Sequence, residues 1–119
     1  MIHSRTEIGL QAEELAAKYL VRHGYQVLER NFRIRGGEID IIAREKNTLV
    51  FVEVKARNSS TYGTPFEAIT PWKLKALRKT ALFYKQSHPR LPDLLRLDAI
   101  SVSRGELGEP VFELIKNIG

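Results

Sequence analysis

The chain of 119 residues contains no cysteine. That excludes disulfides, thiolate metal sites and a cysteine nucleophile, and it is compatible with a reducing compartment. No apolar run approaches the ~20 residues that span a bilayer. The opening MIHSRTEIGLQAEE is polar and soon acidic, which reads against a secretory leader, so a cytoplasmic location is expected. Histidine is scarce: His3, His23 and His88 are scattered without metal-ligand spacing. There is no glycine-rich phosphate loop beside a lysine and no serine-nucleophile motif. Internal repeats, low-complexity tracts and interdomain linkers are also missing, so one domain is expected over residues 1–119.

Positive charge is what the chain has in excess. Lys and Arg number 19 against 14 Asp and Glu, a formal net charge of +5. An acidic partner is expected, nucleic acid first, with a merely solvated basic surface as the other reading. The hydrophobic fraction, 43%, is that of an ordinary globular domain.

Ser4 to Gly24 reads as a helix. Ser4 and Glu7 resemble a capping box, Gly24 is a stop, and Ile8, Ala12, Leu15, Ala16 and Tyr19 make an apolar stripe at helical spacing. Tyr25 to Arg33 is a first strand, broken by Gly36-Gly37. Glu38 to Arg44 and Leu49 to Arg57 form a hairpin around EKNT. Asn58 to Pro65 is a loop by composition. Thr70-Pro71 opens a second helix, which ends near His88-Pro89. Leu94 to Ser103 is a fourth strand and RGELGEP a turn; VFELIKN, at the end, has no decisive pattern. The order helix, three strands, helix, strand implies a small mixed sheet with helices packed on it, an α/β or α+β sandwich.

Charged residues interrupt the hairpin. Alternation places Glu38, Asp40 and Ile42 on one face and Ile39, Ile41 and Ala43 on the other. On the next strand Leu49, Phe51, Glu53 and Lys55 point one way, and Val50, Val52 and Val54 the other. A four-residue turn pairs Arg44 with Leu49, which sets Asp40 opposite Glu53 and Glu38 opposite Lys55. Directly opposed side chains have Cβ atoms ~5 Å apart. Two carboxylates so close repel unless a cation lies between them, and hard oxygen donors suit Mg²⁺ or Mn²⁺. The alternatives are that Glu53 and Lys55 are the wet face of an edge strand, and that Asp40 pairs with an arginine near the turn.

Asp40, a gap of twelve residues, then Glu53-x-Lys55 resembles the core motif of the PD-(D/E)xK nuclease superfamily. GLQAEELAAKYL, GYQVLERNFR, GGEIDIIA, LVFVEVKAR and RLDAISV together resemble the YraN-like family of small bacterial proteins, from about Gly9 to Val102. That family is similar to archaeal Holliday junction resolvases. The resemblance implies a restriction-endonuclease-like α/β fold: helix, three strands, helix, strand, with a mixed central sheet flanked by helices and one nuclease-like domain over residues 1–119. It implies a metal-dependent endonuclease acting on DNA, branched or structured DNA included. The alternative is a non-catalytic nucleic-acid-binding module of the same fold. Asp40 and Glu53 match the metal-binding acids, with Mg²⁺ or Mn²⁺ as cofactor. Lys55 matches the motif lysine, and Glu13 the first-helix glutamate that completes the site in resolvase-like members. Ala12 departs from the glycine of many relatives. Glu13 also lies about 100° from the middle of the apolar stripe, against about 160° for Glu14, so Glu13 is the one able to lean over the sheet edge. Its other reading is an exposed helix acid.

Metal held by Asp40 and Glu53 would activate water and relieve charge at phosphorus, while Lys55 orients that water or stabilises the phosphate. Glu38 either pairs with Lys55 or faces solvent. Lys73, Lys75, Arg78, Lys79 and Lys85 crowd the second helix near Trp72 and Tyr84, with Leu74, Leu77 and Ala81 toward the core. The first four of these basic residues are expected to hold the phosphate backbone, unless they are an ordinary solvated face. Arg96 and Asp98 read as a structural ion pair. The partners expected are nucleic acid, DNA ahead of RNA, with no membrane; a second copy of the chain is a candidate partner as well.

Overall fold

The computed structural model of the protein describes residues 7–57 and 69–119. The elements run α1 (Glu7–Arg22), β1 (Gln26–Ile34), β2 (Gly37–Glu45), β3 (Thr48–Ala56), α2 (Pro71–Ser87), β4 (Leu94–Arg104) and β5 (Pro110–Ile115). The strands form one sheet in that same order. All neighbours are antiparallel except β3 and β4, which run parallel. A parallel neighbour cannot be reached by a tight turn, and α2 lies on the crossover between them. This is the expected α/β arrangement of a mixed sheet flanked by helices. The VFELIKN segment, which had no decisive pattern in the sequence, supplies most of β5, the edge strand beside β4.

The two helices cover opposite faces. Ile41, Ala43, Val50, Val52, Ile100 and Val102 pack with Ala12, Ala16, Ala17 and Leu20 of α1. Ile42, Leu49, Phe51, Leu97 and Ala99 pack with Leu77, Ala81 and Tyr84 of α2. The central strand β3 is buried from Leu49 to Glu53, which is why it reads as a near-continuous apolar run.

Helix α1 ends as its glycine suggests. Gly24 has φ +90, the Tyr25 N–H donates to the Leu20 carbonyl at 2.9 Å, and the Gly24 N–H donates to Val21 at 3.2 Å. Together these two bonds make the glycine-terminated Schellman motif. The Ser4 cap lies outside the described residues, as does the Asn58–Pro65 loop. The predicted apolar stripe needs correction. Ile8 is 65% exposed, whereas Glu13, Ala17 and Leu20 are buried beside Ala12 and Ala16. The helix is turned toward its alanines, because small side chains let its backbone approach the sheet closely. That rotation carries Glu13 into the buried row.

Helix α2 begins as expected. Thr70 Oγ1 accepts from the Lys73 N–H at 3.1 Å and Pro71 takes the first turn. Gly36 turns the chain at φ +86 after β1 ends at Ile34, and Gly37 opens β2. A Cβ on Gly37 would collide with the Thr80 hydroxyl of α2. Glycine therefore sets how near the helix comes to this end of the sheet.

One face assignment fails. Ile39 packs on the α2 side with Ile42, not on the α1 side with Ile41 and Ala43. Between the pairs Arg30↔Ile41 and Phe32↔Ile39 lies Asn31, with φ +57. A left-handed residue inside a strand, opposite Asp40, interrupts the alternation that simple counting assumes.

Candidate metal and phosphate site

The β2–β3 register is the predicted one as far as it runs: Glu45↔Thr48 and Arg44↔Leu49 through to Ile41↔Val52. The pairing stops there, one position short of Asp40 and Glu53. From that point a side chain replaces the ladder, with Asp40 Oδ2 accepting from the Val54 N–H at 2.8 Å. The bond holds the Asp40 carboxylate against β3, beside Glu53.

Glu53 lies on the α2 face at 4% exposure. Its Oε2 is 3.4 Å from Lys73 Nζ and 3.7 Å from Lys55 Nζ. Its Oε1 is buried and has no hydrogen-bond partner among the described residues. Burial first, and the neighbouring Asp40 charge second, push the Glu53 carboxyl up to about 7, against the pull of Lys73 and Lys55. A buried carboxylate oxygen without a hydrogen-bond partner is costly, and the Asp40 charge nearby adds to that cost.

Glu13 is buried at 1% exposure on α1. Its Oε1 accepts from Arg30 Nη2 at 3.2 Å, while Arg30 Nη1 grips Glu14 at 2.8 Å. Arg30 is the β1 partner of Ile41, the residue after Asp40. The glutamate is thus tied to the strand that neighbours Asp40, and Glu14 stays exposed. Glu38, expected opposite Lys55, lies beyond the end of the β2–β3 pairing and has Arg33 Nη2 at 3.7 Å across β1. The register argument fails for that pair because the strands part at Asp40.

Among the described residues no three His, Asp or Glu side chains form a metal-holding group. Two carboxylates are nevertheless what a magnesium site of the phosphate-transfer kind uses, the remaining positions going to water and substrate oxygens. The orphaned Glu53 oxygen, the adjacent Asp40 and the hardness of both donors fit such a cation.

The basic residues of α2 divide. Lys75, Arg78 and Lys79 are exposed, as a backbone-binding row requires. Lys73 instead turns inward to Glu53. It shares one helical face with Leu77, Thr80 and Tyr84, all three buried. Tyr84 is interior, at 3% exposure. A cleft lined by Arg33, Gly36, Gly37, Glu38 and Lys73 opens beside the site.

Arg96 and Asp98 form the structural pair expected, inside a larger network. Asp98 is fully buried. It accepts from Arg96 Nε at 2.8 Å, Arg96 Nη2 at 2.9 Å, the Tyr25 hydroxyl at 2.9 Å and the Asn117 N–H at 3.0 Å. Arg96 also reaches Glu45 at 2.7 Å, which Lys116 holds at 2.9 Å. These bonds tie β4 to Tyr25 ahead of β1 and to Asn117 after β5.

The chain belongs to a family described as uncharacterised protein family UPF0102, whose model matches residues 12–102. A UPF0102 protein of Geobacter metallireducens is 47% identical over 117 residues, covering 98% of this chain and 93% of the relative. Another, from Leifsonia xyli, is 50% identical over 114 residues, covering 96% and 97%. One from Syntrophomonas wolfei is 47% identical over 96 residues, covering 81% and 84%. Among solved structures, Pyrococcus furiosus SfsA in complex with Ca²⁺ is similar with a TM-score of 0.43 and 14% identity. The match covers 92% of this chain and 62% of that one, so the chain spans less than two thirds of that structure's length.

Proposed function

We propose that this UPF0102 member is a metal-dependent nuclease that hydrolyses phosphodiester bonds in DNA, branched or structured DNA included, with Mg²⁺ or Mn²⁺ held by Asp40 and Glu53. The observation that carries this reading is the buried Glu53 Oε1, without a partner among the described residues and next to Asp40. Such an oxygen is costly to leave bare, and a divalent cation shared with Asp40 would satisfy it. When bound, the cation would acidify a water and offset phosphate charge.

The chain's own residues supply the rest. Asp40 is aimed by the Val54 N–H. Lys55, half-buried beside Glu53, would orient the attacking water or donate to a phosphate oxygen. Glu13 is held rigid by Arg30 and would position the water from the α1 side. The exposed Lys75, Arg78 and Lys79 attract the phosphate backbone. DNA rather than RNA, and a cytoplasmic setting, belong to the same proposal. No helix among the described residues is long and apolar enough to cross a membrane.

The second reading is a binding module without cleavage. It is favoured by an α2 whose charged residues are all basic and by the lack of a three-member ligand group among the described residues. Purified protein should be offered duplex, single-stranded and four-way-junction DNA, and RNA, with Mg²⁺ or Mn²⁺. Cleavage that Asp40→Asn and Lys55→Ala abolish, with Mn²⁺ still binding the lysine variant, is the expected result. Binding without cutting by either metal, and no Mn²⁺ bound by the wild type, would leave the module reading in its place.

A further inference from the structure

We propose that Trp72 is a stacking platform for an unpaired nucleobase, so that the strand entering the Asp40–Glu53 site carries bases not held in duplex. The proposal rests on reading that site as one for phosphodiesters and names the substrate class.

Trp72 is the chain's single tryptophan and is 77% exposed. It belongs to neither hydrophobic cluster, whereas Tyr25, Phe51 and Tyr84 are at most 3% exposed. An indole is the largest apolar surface a side chain can leave in water. Here it stands in the first turn of α2, one residue before Lys73.

The two neighbours point different ways, about 100° apart around the helix. Lys73 begins the inner row with Leu77, Thr80 and Tyr84, and its ammonium reaches Glu53. Trp72 begins an outer row with Lys75 and Lys79, three and seven positions on and both exposed. Consecutive residues therefore carry an ammonium that reaches Glu53 and an indole exposed to solvent. A nucleotide has the same pairing, a phosphate and a flat ring joined through one sugar. With its phosphate at Lys73, its base can lie on the indole, and the flanking phosphates meet Lys75 and Lys79. The α2 sequence contains no acidic residue to oppose this. A base inside a duplex has both faces already stacked, so a splayed or single-stranded base is the ligand that fits.

The single tryptophan provides the test. With wild-type protein in EDTA, oligothymidylate should quench indole emission saturably, and a blunt hairpin without unpaired bases should not. Oligouridylate in parallel asks whether the sugar is read; equal quenching assigns the contact to the base. By anisotropy of labelled strands, Trp72→Ala should bind the single strand about ten-fold more weakly, Trp72→Phe should restore most of the affinity, and duplex affinity should not move. Strand binding with unchanged emission, equal affinity for Trp72→Ala, or no strand binding at all overturns the proposal. Emission that follows protein concentration instead of oligonucleotide also overturns it and assigns the face to a second copy. Quenching without cleavage under Mg²⁺ or Mn²⁺ supports stacking and counts against the nuclease alone. Cleavage of all substrates at wild-type rates by Trp72→Ala does the reverse.

Discussion

Asp40 Oδ2 accepts a hydrogen bond from the backbone N–H of Val54, one residue past Glu53, at 2.8 Å. A side chain thus takes over where the backbone ladder of β2 and β3 ends at Ile41↔Val52. The two strands part at the place where each carries an acid, and the bond keeps Asp40 aimed at the gap.

Removing that acceptor leaves the Val54 N–H without this bond. Asp40→Ala should cost about 1–3 kcal/mol, and Asp40→Asn, which keeps an acceptor oxygen, less than about 1 kcal/mol. Urea unfolding at unchanged slope measures both. On the nuclease reading cleavage should be lost in both variants, so Asp40→Asn separates that function from stability.

Glu53 makes stability fall with pH. Its carboxyl is raised from 4.5 to about 7 in the folded protein. Below 4.5 it is protonated whether the chain is folded or not. As pH rises toward 7 the unfolded chain ionises first, so its contribution is lost through that window. Relative to Glu53→Gln, the wild type should lose up to about 3 kcal/mol between pH 4.5 and 8 in EDTA. Parallel pH profiles for the two proteins would refute the burial account. Saturating Mn²⁺ should reduce the difference, because a bound cation favours the ionised form.

The outer row of α2 should act through salt. Changing Lys75, Arg78 and Lys79 together to Ala removes three cations and should flatten the plot of log K against log salt by about 2 to 3 on duplex DNA. The melting temperature should stay close to wild type, since all three are exposed. An unchanged slope would place the backbone contacts elsewhere.

Arg96→Met should destabilise the fold by about 3–5 kcal/mol, because it strands the buried Asp98 without its guanidinium. Thermal and urea unfolding report the loss. On the nuclease reading, metal binding at Asp40 and Glu53 should be retained under conditions where the variant is folded, as the Arg96 bonds run to Asp98, Tyr25 and Glu45.

Much of this arrangement was legible in the residues themselves. Glycine at 24, threonine and proline at 70 and 71, and the apolar runs of β2 and β3 determine local structure through backbone freedom, capping and alternation. Those signals act within a few residues, so the elements before β5, and the hairpin register as far as Ile41↔Val52, could be counted along the chain. The excess of lysine and arginine and the Asp40, Glu53 and Lys55 spacing are likewise properties of the sequence.

Only the tertiary structure decided what depends on distance between elements. The rotation of α1 that buries Glu13 follows from how closely its alanines let it approach the sheet, not from the hydrophobicity of Ile8. The left-handed Asn31 re-phases Ile39 through a strand pairing that counting along β2 alone does not include. Lys73 joins Glu53, and Trp72 is left in water, because α2 crosses the sheet at the height set by Gly37 and Thr80. Local preference fixes where elements begin and end. Which charges meet is settled by packing, where burial and Coulomb energy act between residues far apart in the chain.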